Sequence, residues 1–152
     1  MKAANRLKSL RVISLALLAG AISFAAIVYF LLTTQGYTDP DTILQRIGIA
    51  AMLMAVVTAP IVESKILNNR LAGKSVGLDK KIDSFATALI VRLAMIECAT
   101  IINIVFYLLS GDVMLIALSG AGIVGLLMSY PRLSRVVNLL QLTEEEEREL
   151  QV

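Results

Sequence analysis

The chain has 152 residues, 57% of them hydrophobic and only 17% charged, with a mean hydropathy of +0.78 and a net charge of +2. A soluble domain is typically about 45–50% apolar and about 25% charged, so these figures argue against a water-soluble globule. A near-balanced charge excludes the basic footprint of a nucleic-acid partner. The absence of histidine and the single Cys98 leave no basis for an internal disulfide, a metal or a cofactor.

Lys2, Arg6, Lys8 and Arg11 open the chain, and segment one follows over about residues 12–33, uncharged from Arg11 to Asp39. A membrane helix needs about 20 mostly apolar residues to cross about 30 Å of hydrocarbon. The rival is a signal peptide, whose apolar core is about 7–15 residues before a small-residue cleavage site. This core is longer and no clear A-x-A site follows it, which predicts a retained helix. The stretch Thr34 to Thr42, with Gly36, Asp39, Pro40 and Asp41, reads as a turn, and Asp41 or Thr42 can cap the next helix.

Segment two covers about residues 43–67. Its uncharged core from Ile47 to Val62 would span about 24 Å, and Arg46 and Lys65 can extend it by snorkelling. Pro60 removes a helix hydrogen bond and predicts a kink. A basic, glycine-containing stretch from Asn68 to Asp83 leads into segment three, about residues 84–109. Ser110-Gly111-Asp112 leaves room only for a tight reversal into segment four, residues 113–130, which stops at Pro131. Beyond it Leu133, Val136, Val137 and Leu140 recur at helical spacing among Arg132, Arg135 and Gln141, the pattern of a short amphipathic surface helix. Thr143 with Glu146 forms a capping-box pattern, opening an acidic tail (143–152) whose run Glu144 to Glu147 reads as solvated.

The expected fold is an all-α integral membrane bundle of four antiparallel transmembrane helices, a single domain over residues 1–142. Basic residues cluster before segment one, between segments two and three (Lys65, Arg70, Lys74, Lys80, Lys81) and after segment four (Arg132, Arg135, Arg148). The opposite loops carry Asp39, Asp41 and Asp112. The positive-inside rule then places both termini and the middle loop in the cytoplasm of a plasma (inner) membrane protein. Tyr29, Tyr37, Tyr107 and Tyr130 fall at the expected interfaces.

The word Ile27-Val28-Tyr29-Phe30-Leu31-Leu32 resembles Ile104-Val105-Phe106-Tyr107-Leu108-Leu109, and Pro60 and Pro131 end the two returning segments. A duplicated hairpin would produce this pattern, as would chance among apolar helices. The pairing aligns Glu97 with Gly20, and sets Glu63 at the depth of Arg132 and Arg135, where an interfacial ion pair worth about 0–1 kcal/mol is expected.

Glu97 is the chemical oddity, a carboxyl between Ser84 and Leu109 close to mid-membrane. An ionised acid there costs about 2.5–3.5 kcal/mol on insertion scales, so it either has a function or a partner. It can carry a proton, hold a cation or bond a neighbouring helix. Arg92, Thr100 and Asn103 extend a polar arc on the same segment and complete the candidate ion- or proton-binding set. Arg92 does not face Glu97 along one helix; it either leans back towards the N-terminal end or pairs with Glu97 of a second subunit. An ordinary helix interface is the competing reading of the arc. On segment four Ala117, Ala121, Gly125 and Ser129 repeat at every fourth position, a seam for close helix approach.

The run Arg92-Leu93-Ala94-Met95-Ile96-Glu97-Cys98-Ala99-Thr100-Ile101 distantly resembles the carboxylate-bearing helix of rotary ATPase proteolipids. That resemblance would imply ring assembly around Glu97. The departures are large: segment two has only Gly48 where that family has a repeated G-x-G pattern, and the family's polar loop is missing. With no G-x-S-x-G, no P-loop and no intramembrane acidic cluster, no catalytic activity is expected. The expected function is a non-catalytic structural or accessory membrane component, embedded in the lipid bilayer and acting through helix packing in a homo-oligomer or larger membrane complex. The alternative is a small ion or proton channel that uses Glu97.

Overall fold

The computed structural model describes residues 2–35, 42–71 and 77–151. Of the turn expected at 34–42, residues 36–41, with Tyr37 and Asp41, lie outside these residues, as do 72–76 of the basic loop; Thr34 and Gln35 are helical instead, and Thr42 already begins the next helix. Among the described residues every regular element is helical: α1 (Lys2–Gln35), α2 (Thr42–Leu71), α3 (Leu78–Ser110), α4 (Val113–Met128), α5 (Leu133–Leu140) and α6 (Glu144–Gln151). Three helices are long and apolar enough to cross a membrane, α1, α2 and α3; α4 and α5 make a fourth only if the pair, bent by 72°, counts as one span.

The outer surface is far more apolar than that of a soluble protein, and several polar side chains lie inside with the apolar core. Leu53, Met54, Val57, Phe30 and Val124 are exposed, whereas Thr100, Asn103 and Ser119 are fully buried. An apolar outer surface suits hydrocarbon, and interior hydroxyls suit it only when bonded. Thr100 and Ser119 donate to the carbonyls of Ile96 and Leu115, one turn back on their own helices, at 2.8 and 2.9 Å.

Helix α3 is the hub. It packs against α2, α4 and α1, and α1 rests chiefly on α3 rather than on its chain neighbour α2. The two hairpins suggested by the sequence repeat are therefore packed differently. The α3–α4 turn is tight: Gly111 adopts the left-handed conformation with φ 66° and donates to Tyr107 O at 2.8 Å. Asp112 then caps α4 by accepting from the Met114 N–H at 2.9 Å. Helix α2 continues unbroken through Pro60, which lies on the exposed side.

The long helices are longer than a crossing of hydrocarbon requires. The 34 residues of α1 reach about 51 Å, against about 30 Å of hydrocarbon. One apolar core runs along this length, from Ala21, Leu93, Ile96 and Leu126 to the end where α1 begins. Ala3, Leu7 and Leu10 of α1, Leu67 of α2, Ile82 and Phe85 of α3, Val136 and Leu140 of α5 and Leu150 of α6 share one core. The residues expected as a solvated tail thus form α6, seated on this cluster. Its capping box is present, with Thr143 N–H donating to Glu146 at 3.0 Å and Glu146 N–H to Thr143 Oγ1 at 3.4 Å. Glu146 also accepts from Lys81 Nζ of α3 at 2.8 Å.

Candidate functional site

Two polar assemblies cross the bundle, at different depths on α3. The first stands towards the end of the bundle where α1 begins and α5 and α6 pack. Glu63 of α2 is buried, with its side chain 5% exposed. Arg135 of α5 donates Nη2 to both its oxygens, at 2.8 and 3.0 Å. Arg92 of α3 donates Nη1 to the same carboxylate. Ser129, at the end of α4, completes the knot: its hydroxyl accepts from Arg92 Nε at 3.1 Å and its carbonyl from Arg135 Nη1 at 2.8 Å. Arg11 of α1 reaches Pro131 O at 3.4 Å. One corner thus ties α1 to the α4–α5 elbow and joins α2, α3 and α5 around a single carboxylate.

The ion pair expected between Glu63 and Arg135 exists, but not as a weak exposed pair, because the carboxylate is buried between two arginines. Arg132 takes no part in it. Arg92 leans towards the start of α3, as helix side chains do, and its partner is Glu63 rather than a Glu97. Sequence periodicity missed this pairing because it depends on how α2 and α3 are rotated against each other. The depth of the three charges was the one available signal.

The second assembly lies where α2, α3 and α4 come closest. Asn103 Nδ2 donates to Gly48 O of α2 at 3.2 Å and to Ala99 O at 2.8 Å. Its Oδ1, buried without a hydrogen-bond donor, lies where a Cβ on Gly48 would stand. Thr100 Oγ1 lies against Gly122 of α4 in the same way, with Met52 Cε alongside. Ser119 Oγ reaches Thr100 O at 3.5 Å. These two glycines let the backbones approach, and the polar side chains fill the space their missing Cβ atoms leave.

Glu97 belongs to neither assembly. It is half-buried and, among the described residues, its carboxyl has no hydrogen-bond or ion-pair partner. On a wheel, the buried Ile104 and Leu93 lie about 20° and 40° to one side of it, and the exposed Ile101 and Ala94 about 40° and 60° to the other. Ile104 packs with Val28 and Leu32 of α1. Glu97 therefore stands on the flank of the bundle where the α1 contact gives way to open surface. The candidate set Glu97, Arg92, Thr100 and Asn103 is not gathered into one site: Arg92 is held by Glu63 and Ser129, and Thr100 and Asn103 by helix contacts.

The small-residue seam also divides. Ser129 is buried and Gly125 meets Ile96, whereas Ala117 and Ala121 are exposed. Within the chain α4 instead packs through Leu115, Ser119, Gly122 and Leu126. Ala117, Ala121 and the neighbouring Gly120, where an added Cβ would meet nothing within 4 Å, leave a smooth outer strip.

At the α4–α5 elbow a cleft of about 580 Å³ opens to the surface. Arg132, Ser134, Arg135 and Asn138 form its polar side, and Met128 and Leu139 its apolar side. The chain matches no protein-family model, no curated protein and no solved structure.

Proposed function

We propose that the protein is a non-catalytic structural or accessory component of a membrane, with four antiparallel spans and both ends in the cytoplasm, that works by associating with further membrane helices. The observation carrying this reading is the contrast between Glu97 and the other polar groups of α3. Arg92, Thr100 and Asn103 are used within the chain, and Glu97, among the described residues, is left without a partner at mid-membrane depth on the flank of the bundle. A carboxyl in hydrocarbon gains most from a donor or acceptor on another helix. The exposed Ala117, Gly120 and Ala121 offer a second surface that a helix can approach closely. The orientation rests on Lys and Arg at the end where α1 begins and α5 and α6 pack.

The test is assembly of the full chain in native membranes, followed by chemical cross-linking and by oligomer mass. Glu97→Gln keeps hydrogen bonding and should retain the assembly, whereas Glu97→Leu should weaken it. Ion translocation is the outcome that would replace this reading: proton or sodium flux in liposomes, present with the native chain and absent with Glu97→Gln.

A further inference from the structure

We infer that the cleft at the α4–α5 elbow binds the phosphate of an anionic phospholipid, with its headgroup on Arg132 and an acyl chain along the apolar side. This inference needs only the membrane setting of α4 and is independent of the assembly role of Glu97.

Charge comes first. Arg11, Arg92, Arg132 and Arg135 converge on this corner, and Glu63 is the one carboxylate bonded within it, among the described residues. Glu63 is engaged by Arg92 and Arg135, so the corner keeps an excess of positive charge. Arg132 has no ion-pair or hydrogen-bond partner for its side chain among the described residues, and its residue is exposed. An arginine fork matches phosphate oxygens in pairs.

The remaining donors are of the right kind. A guanidinium carries five N–H groups, and the contacts of Arg135 to Glu63 and Ser129 engage only Nη1 and Nη2, leaving its Nε–H available. The Ser134 hydroxyl and the Asn138 amide line the same cleft. No side chain caps the start of α5, so its first N–H groups favour an anion at that end.

Depth supplies the lipid. The cleft begins at Met128, where the apolar run of α4 ends, and α5 turns away by 72°. That is headgroup level for a helix leaving hydrocarbon. Met128 is 75% exposed and Leu139 39% exposed, so the wall beside the arginines suits an acyl chain rather than water. A soluble phosphate would use the arginines but not this wall.

The experiment is native mass spectrometry of the full chain in neutral detergent, titrated with phosphatidylglycerol, with phosphatidylcholine of the same chains, and with inorganic phosphate. The native chain should retain phosphatidylglycerol in preference to both others. Arg132→Gln should weaken that binding about tenfold, with phosphatidylcholine binding unchanged. Arg132→Lys should recover part of the loss, and Arg46→Gln, at the start of α2, should have no effect. If Arg132→Gln is not recovered folded, Ser134→Ala combined with Asn138→Ala must show the same selective loss. Equal binding by native and Arg132→Gln protein, equal uptake of phosphatidylcholine, or inorganic phosphate binding as tightly as the lipid would each overturn the inference.

Discussion

Arg135 grips both carboxylate oxygens of Glu63, at 2.8 and 3.0 Å, across 72 positions of the sequence. This contact fixes α5 to α2 and so sets the angle at which the chain leaves α4. A buried carboxylate between two arginines gains little over an apolar packing, but removing it strands two cations. Glu63→Gln is therefore expected to destabilise the fold by about 3–5 kcal/mol. Glu63→Leu combined with Arg92→Met and Arg135→Met should regain most of that loss, because no charge is then left unpaired. Unfolding in mixed micelles, followed by helical circular dichroism, measures both. Equal stability of Glu63→Gln and the native chain would show that the cluster carries no structural weight.

The three glycines Gly48, Gly120 and Gly122 separate two kinds of surface. A Cβ at Gly48 would stand 2.6 Å from Leu115 Cδ2, and one at Gly122 would meet Thr100 and Met52. Overpacking of that kind typically costs about 1–3 kcal/mol. Gly48→Ala and Gly122→Ala should each lose stability in this range. Gly120→Ala meets nothing and should leave the isolated chain unchanged or slightly firmer, since alanine favours helix by up to about 1 kcal/mol over glycine. If Gly120→Ala instead weakens only the assembled form, the outer strip of α4 is a contact between molecules.

The apolar blocks made the helical bundle legible, because length and hydropathy are properties of a segment alone. The reversal at Gly111 and Asp112 and the reciprocal bonds of Thr143 and Glu146 were legible for the same reason: each is a local rule written in adjacent residues. The engagement of Arg92 with Glu63 was not, since it depends on the rotation of two helices about their axes. Nor was the division of the α4 seam, where four-residue spacing marks a smooth strip without saying which side of it faces the protein. The part of the core built by the start of α1 left a trace that could have been followed. Ala3, Leu7 and Leu10 precede segment one at helical spacing among Arg6, Lys8 and Arg11, the pattern of an amphipathic helix rather than of a basic flank. For the candidate site, the sequence brought Glu97 forward as an unusual position, but its separation from Arg92, Thr100 and Asn103 is a tertiary fact.

The docking of α6 should depend on pH through Glu146. Its hydrogen bond with Lys81, 2.8 Å long, holds the carboxyl below its ordinary value of 4.5. A carboxyl depressed in the folded state contributes stability that is fully present above its unfolded value. That contribution fades as pH falls from about 4.5 through the lower folded value. The pair is partly exposed, at 19% for each side chain, so the effect is small, about 0–1 kcal/mol. Amide exchange along α6 should accelerate selectively in that acid window. Lys81→Gln should remove the selective step and leave α6 equally loose above and below it.

Cys98 offers a probe of the medium around the bundle that needs no engineered residue. It is exposed, and it lines a shallow crevice between α2 and α3 with Met54, Thr58 and Ile102. If that surface faces hydrocarbon, a charged reagent confined to water cannot reach the thiol. A charged, water-soluble maleimide should then leave Cys98 unmodified in intact membranes and label it after the membrane is dissolved in sodium dodecyl sulfate. The distinction is sharp because Cys98 is already exposed on the folded bundle, so the medium against that surface decides whether the reagent reaches it. Rapid labelling of intact membranes would place this face in water, and the apolar outer surface would then have to be explained by a protein partner covering it elsewhere.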